Sequence, residues 1–334
     1  MEHPTNPVLL DPVNDPGNAE LTLEFMKTFL SEEFFPNARI ARRVFAKCKE
    51  HNRAETYFSS LIRKTTVFIS LDGKKVALAG ILKPMDFESS VFGIKMATLG
   101  IYENMEKPLP VSSKQNLIDH VLEYAADKGI QHISCKEKPE NCATMQALEK
   151  AGFLTVSNLI TFLYIRNITK PPKWRSRYKV RKALPGDKDN VCSITKGAFS
   201  HTRFYNDPSL PDEKCDALYC EWARNCFDKG WASNIFIAED SKANIVGYLT
   251  YLIDPSIKSI FGIVTGGSGI SACLPGTRGA YPSLLIGSLK DVPKYDAAYC
   301  EYTTQSENSE VVRIWDKLGL DYGKTEIIFH KGLL

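Results

Sequence analysis

HISCKEKPENCATMQALEKAGF (132–153) and YCEYTTQSENSEVVRIWDKLGL (299–320) follow one plan: a strand-like run, an asparagine, and an amphipathic stretch that closes on Lys-x-Gly. Asn141 and Asn308 stand 167 residues apart, and so do Gly152 and Gly319. Apolar residues at helical spacing after each asparagine, stopped by a glycine just past a lysine, read as a capped helix. Upstream, TVFISLDGKKVALAGIL (66–82) reads as a hairpin turning at Asp72-Gly73, and NIFIAEDSKANIVGYLTYLI (234–253) is its counterpart, with Gly80 and Gly247 in the same register. An offset of half the chain that holds across several landmarks marks a duplicated unit.

Between the halves lies NITKPPKWRSR (167–177), whose adjacent prolines neither continue a helix nor suit a central strand. It reads as a linker, and the basic run KWRSRYKVRK (173–182) as a solvated connector. The expected division is therefore a first domain at 1–166, a linker at 167–177 and a second domain at 178–334. In the second, strands are expected at 178–184, 270–274, 296–302 and 325–331, and helices near 187–198, 211–228, 282–290 and 309–319. Helices interleaved with hairpins and crossovers imply an α/β fold, each unit a mixed, mostly antiparallel sheet flanked by helices.

The chain has 334 residues, 43% hydrophobic and 24% charged, enough for two ordinary cores. A net charge of +3 is too small to recruit nucleic acid or a membrane surface, so the expected partner is a small molecule, with a homodimer allowed. MEHPTNPVLLDP has neither the basic nor the apolar region of a signal peptide, and no run of about 18 apolar residues occurs, so a cytoplasmic protein is expected. Nine cysteines from Cys48 to Cys300 show no paired CxxC spacing; they read as reduced thiols, and no metal is expected.

The second half alone carries LPGTRGAYPSLL (274–285), a strand end, a glycine turn and a helix opening with Pro282. Such a turn aims unpaired backbone N–H groups along a helix dipole, which suits a pyrophosphate. In the same register the first half has PLPVSS (108–113), with no glycine and two prolines. With the hairpin before it, and Thr303, Thr304, Gln305 and Asn308 after it, this order resembles the GNAT superfamily of acyl-CoA-dependent N-acyltransferases. The resemblance implies tandem GNAT-like domains, the first degenerate, with acetyl-CoA as acyl donor in the second. That family's turn reads Arg or Gln, two residues, Gly, one residue, Gly or Ala; here it is shortened to Arg278-Gly279-Ala280-Tyr281.

Further motifs resemble bacterial TDP-fucosamine N-acetyltransferases. MDFESSVFGIKMATL (85–99) is similar to their Trp-Asp-x-x-x-Phe-Gly segment with Met85 for the tryptophan. AFSHTRFYNDP (198–208) and YCEWARN (219–225) are similar to their Ala-Phe-x-x-x-Arg-Phe and Tyr-x-x-Trp-x-x-Asn. The resemblance implies that Phe199, Arg203, Phe204, Tyr205, Tyr219 and Trp222 line an acceptor cleft for a nucleotide-linked amino sugar. It also implies donor contacts at Ala272, Cys273, Leu274, Arg278, Gly279, Ala280, Tyr281, Asn308 and Trp315. Tyr219 and Trp222 are three apart on one helix face, where core packing is the stronger expectation.

Acyl transfer to an amine needs a base for the amine, a donor to the thioester oxygen and an acid for the departing thiolate. His201 and Glu301 are the base candidates, with Asp254 a further carboxylate on the same pattern. The family's acid is a tyrosine seven residues after the helix asparagine, a position held here by Trp315, whose indole N–H is no useful acid. Tyr281, Tyr302 or Tyr219 then stands in, water protonates the thiolate, or the site is inactive. The expected activity is transfer of an acetyl group to a small primary amine in a ternary complex. A non-catalytic binding protein and an acetyltransferase for an amino acid, polyamine or peptide amine stay as alternatives.

Overall fold

The computed structural model describes residues 7–10, 65–72, 75–103, 108–170, 173–256, 258 and 262–333. Two compact units form, one of residues 1–158 with 325–334 and one of residues 159–324.

The first unit runs β1 (Val8–Leu10), β2 (Thr66–Asp72), β3 (Lys75–Pro84), α1 (Asp86–Phe92), β4 (Met96–Glu103), α2 (Val111–Asp127), β5 (His132–Glu137), α3 (Cys142–Lys150) and the start of β6 (Leu154–Ile165). β2 and β3 form the expected hairpin from Thr66↔Leu82 to Asp72↔Lys75; Gly73 of its turn lies outside the described residues. The sheet order is β1-β2-β3-β4-β5, antiparallel except for the parallel pair β4 and β5. Residues 327–332 then add antiparallel to β5. α2 buries Lys114, Leu117, Ile118, Val121 and Ala125, a one-sided stripe at helical spacing. Around Leu117, Leu78, Ile133 and Phe329 they build this unit's core.

The second unit repeats the plan. It comprises the end of β6 from Leu159, β7 (Lys179–Lys182), α4 (Lys188–Thr195), α5 (Asp212–Asp228), β8 (Asn234–Glu239), β9 (Ile245–Asp254), β10 (Val264–Cys273), α6 (Ala280–Asp291), β11 (Ala297–Gln305), α7 (Ser309–Lys317) and the start of β12 (Asp321–Gly332). Its strand order is β6-β11-β10-β9-β8-β7, antiparallel but for the parallel pair β10 and β11. The Lys-x-Gly endings work alike in both units. Gly152 (φ +80°) and Gly319 (φ +74°) take the left-handed conformation, and the next residues, Phe153 and Leu320, return their N–H groups to Leu148 and Trp315.

The units divide at a different place from the 167–177 segment, which belongs wholly to the second unit. Residues 159–165 pair with β11 and residues 327–332 with β5, so the last strand of each sequence half completes the sheet of the other unit. A repeat period gives the length of a unit but not which copy of a strand it uses. Among the described residues no helix is long and apolar enough to cross a membrane.

Candidate active site

In the second unit β10 and β11 pair from Val264↔Ala297 through Gly267↔Glu301 and then part. β10 continues beside β9 with an irregularity between Ser268 and Ser271, while β11 continues beside β6 to Gln305. The result is a V-shaped opening with Gly267 and Glu301 at its vertex. The expected strand at 270–274 is thus longer than read, because GGSG (266–269) lacks the β-branched and aromatic residues that mark strands. Its glycines have a reason: a Cβ at Gly266 would lie 2.6 Å from Cys300 Sγ.

The ladder decides which backbone donors face the opening. The Leu274 N–H is committed to Val246 O at 2.8 Å. Successive residues of a strand point their N–H groups to opposite sides, so Ala272 also faces β9, whereas Ser271 and Cys273 face the V. Of this strand, Ala272 and Leu274 thus turn their N–H groups to β9, and Ser271 and Cys273 turn theirs to the V. The Cys273 thiol is half-buried, and its loss of solvent pushes it up to about 12, so it stays protonated at neutral pH and is no nucleophile.

At the open end of β10, Gly276 (φ +77°) and Gly279 (φ +94°) form a tight turn in which Gly279 caps α6. The Thr277 and Ala280 N–H groups bond back into the turn, while those of Arg278 and Gly279 find no acceptor among the described residues. Two residues into the helix, the Tyr281 hydroxyl accepts the Trp315 Nε1–H at 2.9 Å. Indole only donates, so this bond leaves the phenol its own proton to give. Burial raises the Tyr281 pKa, which keeps that proton on at neutral pH. Tyr302, also expected as a candidate, is 1% exposed in the core beneath α6, its ring edge against Trp315. Asn308 caps α7 and donates to Thr304 Oγ1 at 3.1 Å, as Asn141 donates to Glu137 Oε2 at 2.8 Å one repeat earlier. Its part is to shape the β11–α7 turn.

The first unit has the same parting, since β4 and β5 pair only from Met96↔His132 to Leu99↔Cys135. There the residue one repeat before Tyr281 is Lys114. Its ammonium, on a residue 2% exposed, meets Glu103 Oε2 at 2.7 Å and the Leu109 carbonyl at 3.2 Å. A salt bridge stands at the start of α2, and the turn ahead of it carries Pro108 and Pro110 and no glycine, where the second unit has Gly276 and Gly279.

The residues expected to line an acceptor cleft come together, largely by packing on one another. Phe199 stacks on Tyr219 at 4.4 Å, Tyr219 lies parallel to Trp222 at 6.4 Å, and Trp222 meets Trp231 edge-on. Phe204 (2% exposed) and Tyr219 (7%) are core residues, which corrects their expected place in an open cleft. Arg203 lies over the Phe204 ring at 4.6 Å, and Tyr205 donates to Asp216 Oδ1 at 2.6 Å. Phe199, Trp222 and Trp231 stay half-buried, and His201 is exposed in the α4–α5 connection. Glu301 is half-buried and projects to the face of the sheet opposite Cys300 and Tyr302, which belong to the α6 core.

Solved structures of GNAT N-acetyltransferases, one of them a tandem GNAT protein, share this fold. No protein-family model matches the chain. A GCN5-related N-acetyltransferase from Sphaerobacter thermophilus is similar in structure, with a TM-score of 0.59 at 13% identity over 99% of this chain and 97% of that one. A tandem GNAT protein from the clavulanic acid biosynthesis pathway gives 0.55 at 12% identity over 98% of both. A fungal GCN5-related glucosamine N-acetyltransferase region gives 0.60 at 12% identity, over 99% of this chain and 38% of the other. By sequence the chain is 23% identical over 148 residues to the spore coat polysaccharide biosynthesis protein SpsD of Bacillus subtilis, a match over 44% of this chain and 48% of that protein. The chain thus spans about half the length of the curated relative it matches.

Proposed function

We propose that the second unit is an acetyl-CoA-dependent N-acetyltransferase for a small primary amine, most directly a nucleotide-linked amino sugar. The observation that carries this is the contrast between the two openings: the second ends in a glycine turn with unpaired N–H groups, and the first in the Lys114–Glu103 salt bridge. The donor set fits a CoA pyrophosphate, with two free amides at a helix start, the Arg278 side chain beside them and no Cβ at Gly276 or Gly279. Acetyl-CoA supplies the acyl group as a thioester. Cys273 and Ser271 present N–H groups where the thioester carbonyl would develop negative charge. Tyr281, held by Trp315, is the proton donor on the leaving side, and Glu301 at the vertex is the base we favour over the solvated His201. The amino-sugar class rests on the likeness of residues 198–225 to sugar-nucleotide acetyltransferases and on the match to a polysaccharide biosynthesis protein.

Calorimetric titration of acetyl-CoA tests the reading. Micromolar binding that Gly279→Arg abolishes, together with acetyl-CoA-dependent thiol release on TDP-amino sugars, supports it. Absence of binding by the wild type at millimolar acetyl-CoA refutes it and leaves a binding protein on this fold.

A further inference from the structure

The basic segment read from sequence as a solvated connector is fastened to the glycine turn. The Trp174 Nε1–H donates to Ser283 Oγ at 3.2 Å, and Ser176 Oγ lies 2.7 Å from the same oxygen, which itself bonds the Gly279 carbonyl. Arg177 Nη2 donates to the Arg278 carbonyl at 2.7 Å, its guanidinium 5.3 Å over the Tyr178 ring. Tyr178 in turn lies 3.8 Å from where a Cβ of Gly279 would sit. These bonds fix the segment but leave its binding groups outward. Trp174 is 44% exposed although its N–H is held. Lys173, Arg175, Arg177 and Arg278 have no carboxylate partner among the described residues, whereas neighbouring Lys179, Arg181 and Lys182 are all paired with acids.

We infer that residues 173–178, with Arg278, form a binding site for the 3′-phosphoadenosine end of CoA. The inference rests on the proposed use of CoA by this unit. An indole clamped at its nitrogen presents a rigid, exposed face for a purine, and stacking of this kind is sequence-tolerant but strong. Four unpaired cations around it match a group carrying a ribose phosphate next to a diphosphate, and guanidinium forks suit phosphate oxygens. The position is continuous with the turn proposed for the pyrophosphate, so one extended ligand reaches both. A sugar nucleotide offers the same chemistry, a base and a diphosphate, but lacks the extra ribose phosphate. That difference separates the two sources.

The test titrates CoA, 3′-dephospho-CoA and TDP into the full chain and into Lys173→Gln/Arg175→Gln and Trp174→Ala, with direct heat and tryptophan fluorescence as readouts. Lys173 and Arg175 make no bond that holds the fold, so circular dichroism and Tm should not move in the double variant. CoA should bind the wild type roughly 10–100-fold tighter than 3′-dephospho-CoA. The gap should close in the double variant, with dephospho-CoA affinity unchanged. Trp174→Ala should weaken both CoA forms roughly tenfold and remove part of the fluorescence quench. Equal affinity for CoA and dephospho-CoA in the wild type overturns the inference while leaving CoA binding by the glycine turn intact. Loss of TDP binding in the double variant, with CoA unaffected, overturns it in favour of the acceptor's diphosphate. Failure of both CoA forms to bind the wild type overturns the inference together with the reading it rests on.

Discussion

At the residue scale the proposed site turns on Tyr281 and Trp315. If the phenol protonates the departing thiolate, Tyr281→Phe should lower kcat by roughly 10²–10⁴ with the KM for acetyl-CoA little changed, read by steady-state kinetics. Trp315→Phe, which keeps the ring in the core but removes the N–H, should lower kcat less and shift the alkaline limb of the pH profile. Trp315 at the family's tyrosine position was legible in the sequence as a departure. That its N–H meets the tyrosine of another helix was not, because the contact joins residues 34 apart in the chain through the fold alone. A second titrating residue lies in the first unit. Burial pushes the Glu137 carboxyl up to about 7, against bonds from Asn141 and the charges of Lys114 and Lys138, with Glu103 adding to the rise. A carboxyl raised above its unfolded value favours the fold when protonated. Its contribution is complete below about pH 4 and is lost as pH rises through 7, about 3 kcal/mol at most. Urea denaturation of the full chain should show greater stability at pH 5 than at pH 8, and Glu137→Gln should flatten that difference.

At the element scale the two partings of parallel strands show how one duplicated design gives an open site once and a filled one once. Lys114 sits on α2 where an amphipathic stripe calls for an apolar residue, and it is buried because Glu103 at the end of β4 accepts it. Lys114→Ala leaves the half-buried Glu103 carboxylate without its cation and empties a buried site, and should cost about 2 kcal/mol, measured by denaturation of the full chain; Lys114→Met/Glu103→Gln should recover most of it. Hairpins, capped helices and the 167-residue register were readable because turn residues, glycine stops and helical spacing are local signals. β10 was read short because its glycines serve close strand approach instead of propensity. Tyr219 packs inward, as its helix spacing suggests, and so does Phe204, since an aromatic in a loop motif does not say which side is wet.

At the scale of the whole molecule the exchange of final strands decides how the chain can be cut. The sequence put the boundary at the proline-containing 167–177 segment, where composition breaks, but hydrogen bonding assigns 159–165 to the second unit and 325–334 to the first. A fragment ending at residue 166 lacks Ile328 and Phe329, buried at 0% and 1%, and leaves β5 an unpaired edge. A fragment beginning at residue 178 lacks Leu163 and Tyr164, buried at 0% and 5%, and bares β11 in the same way. Losing two large buried side chains and a strand's worth of ladder bonds exceeds the margin of an ordinary domain. Fragments 1–166 and 178–334 should therefore each aggregate or remain unfolded when expressed alone, and co-expression should yield a soluble 1:1 complex. Were the sequence boundary the physical one, each would fold alone with a cooperative thermal transition and no affinity for the other. Size-exclusion chromatography of the single and co-expressed fragments separates the two outcomes.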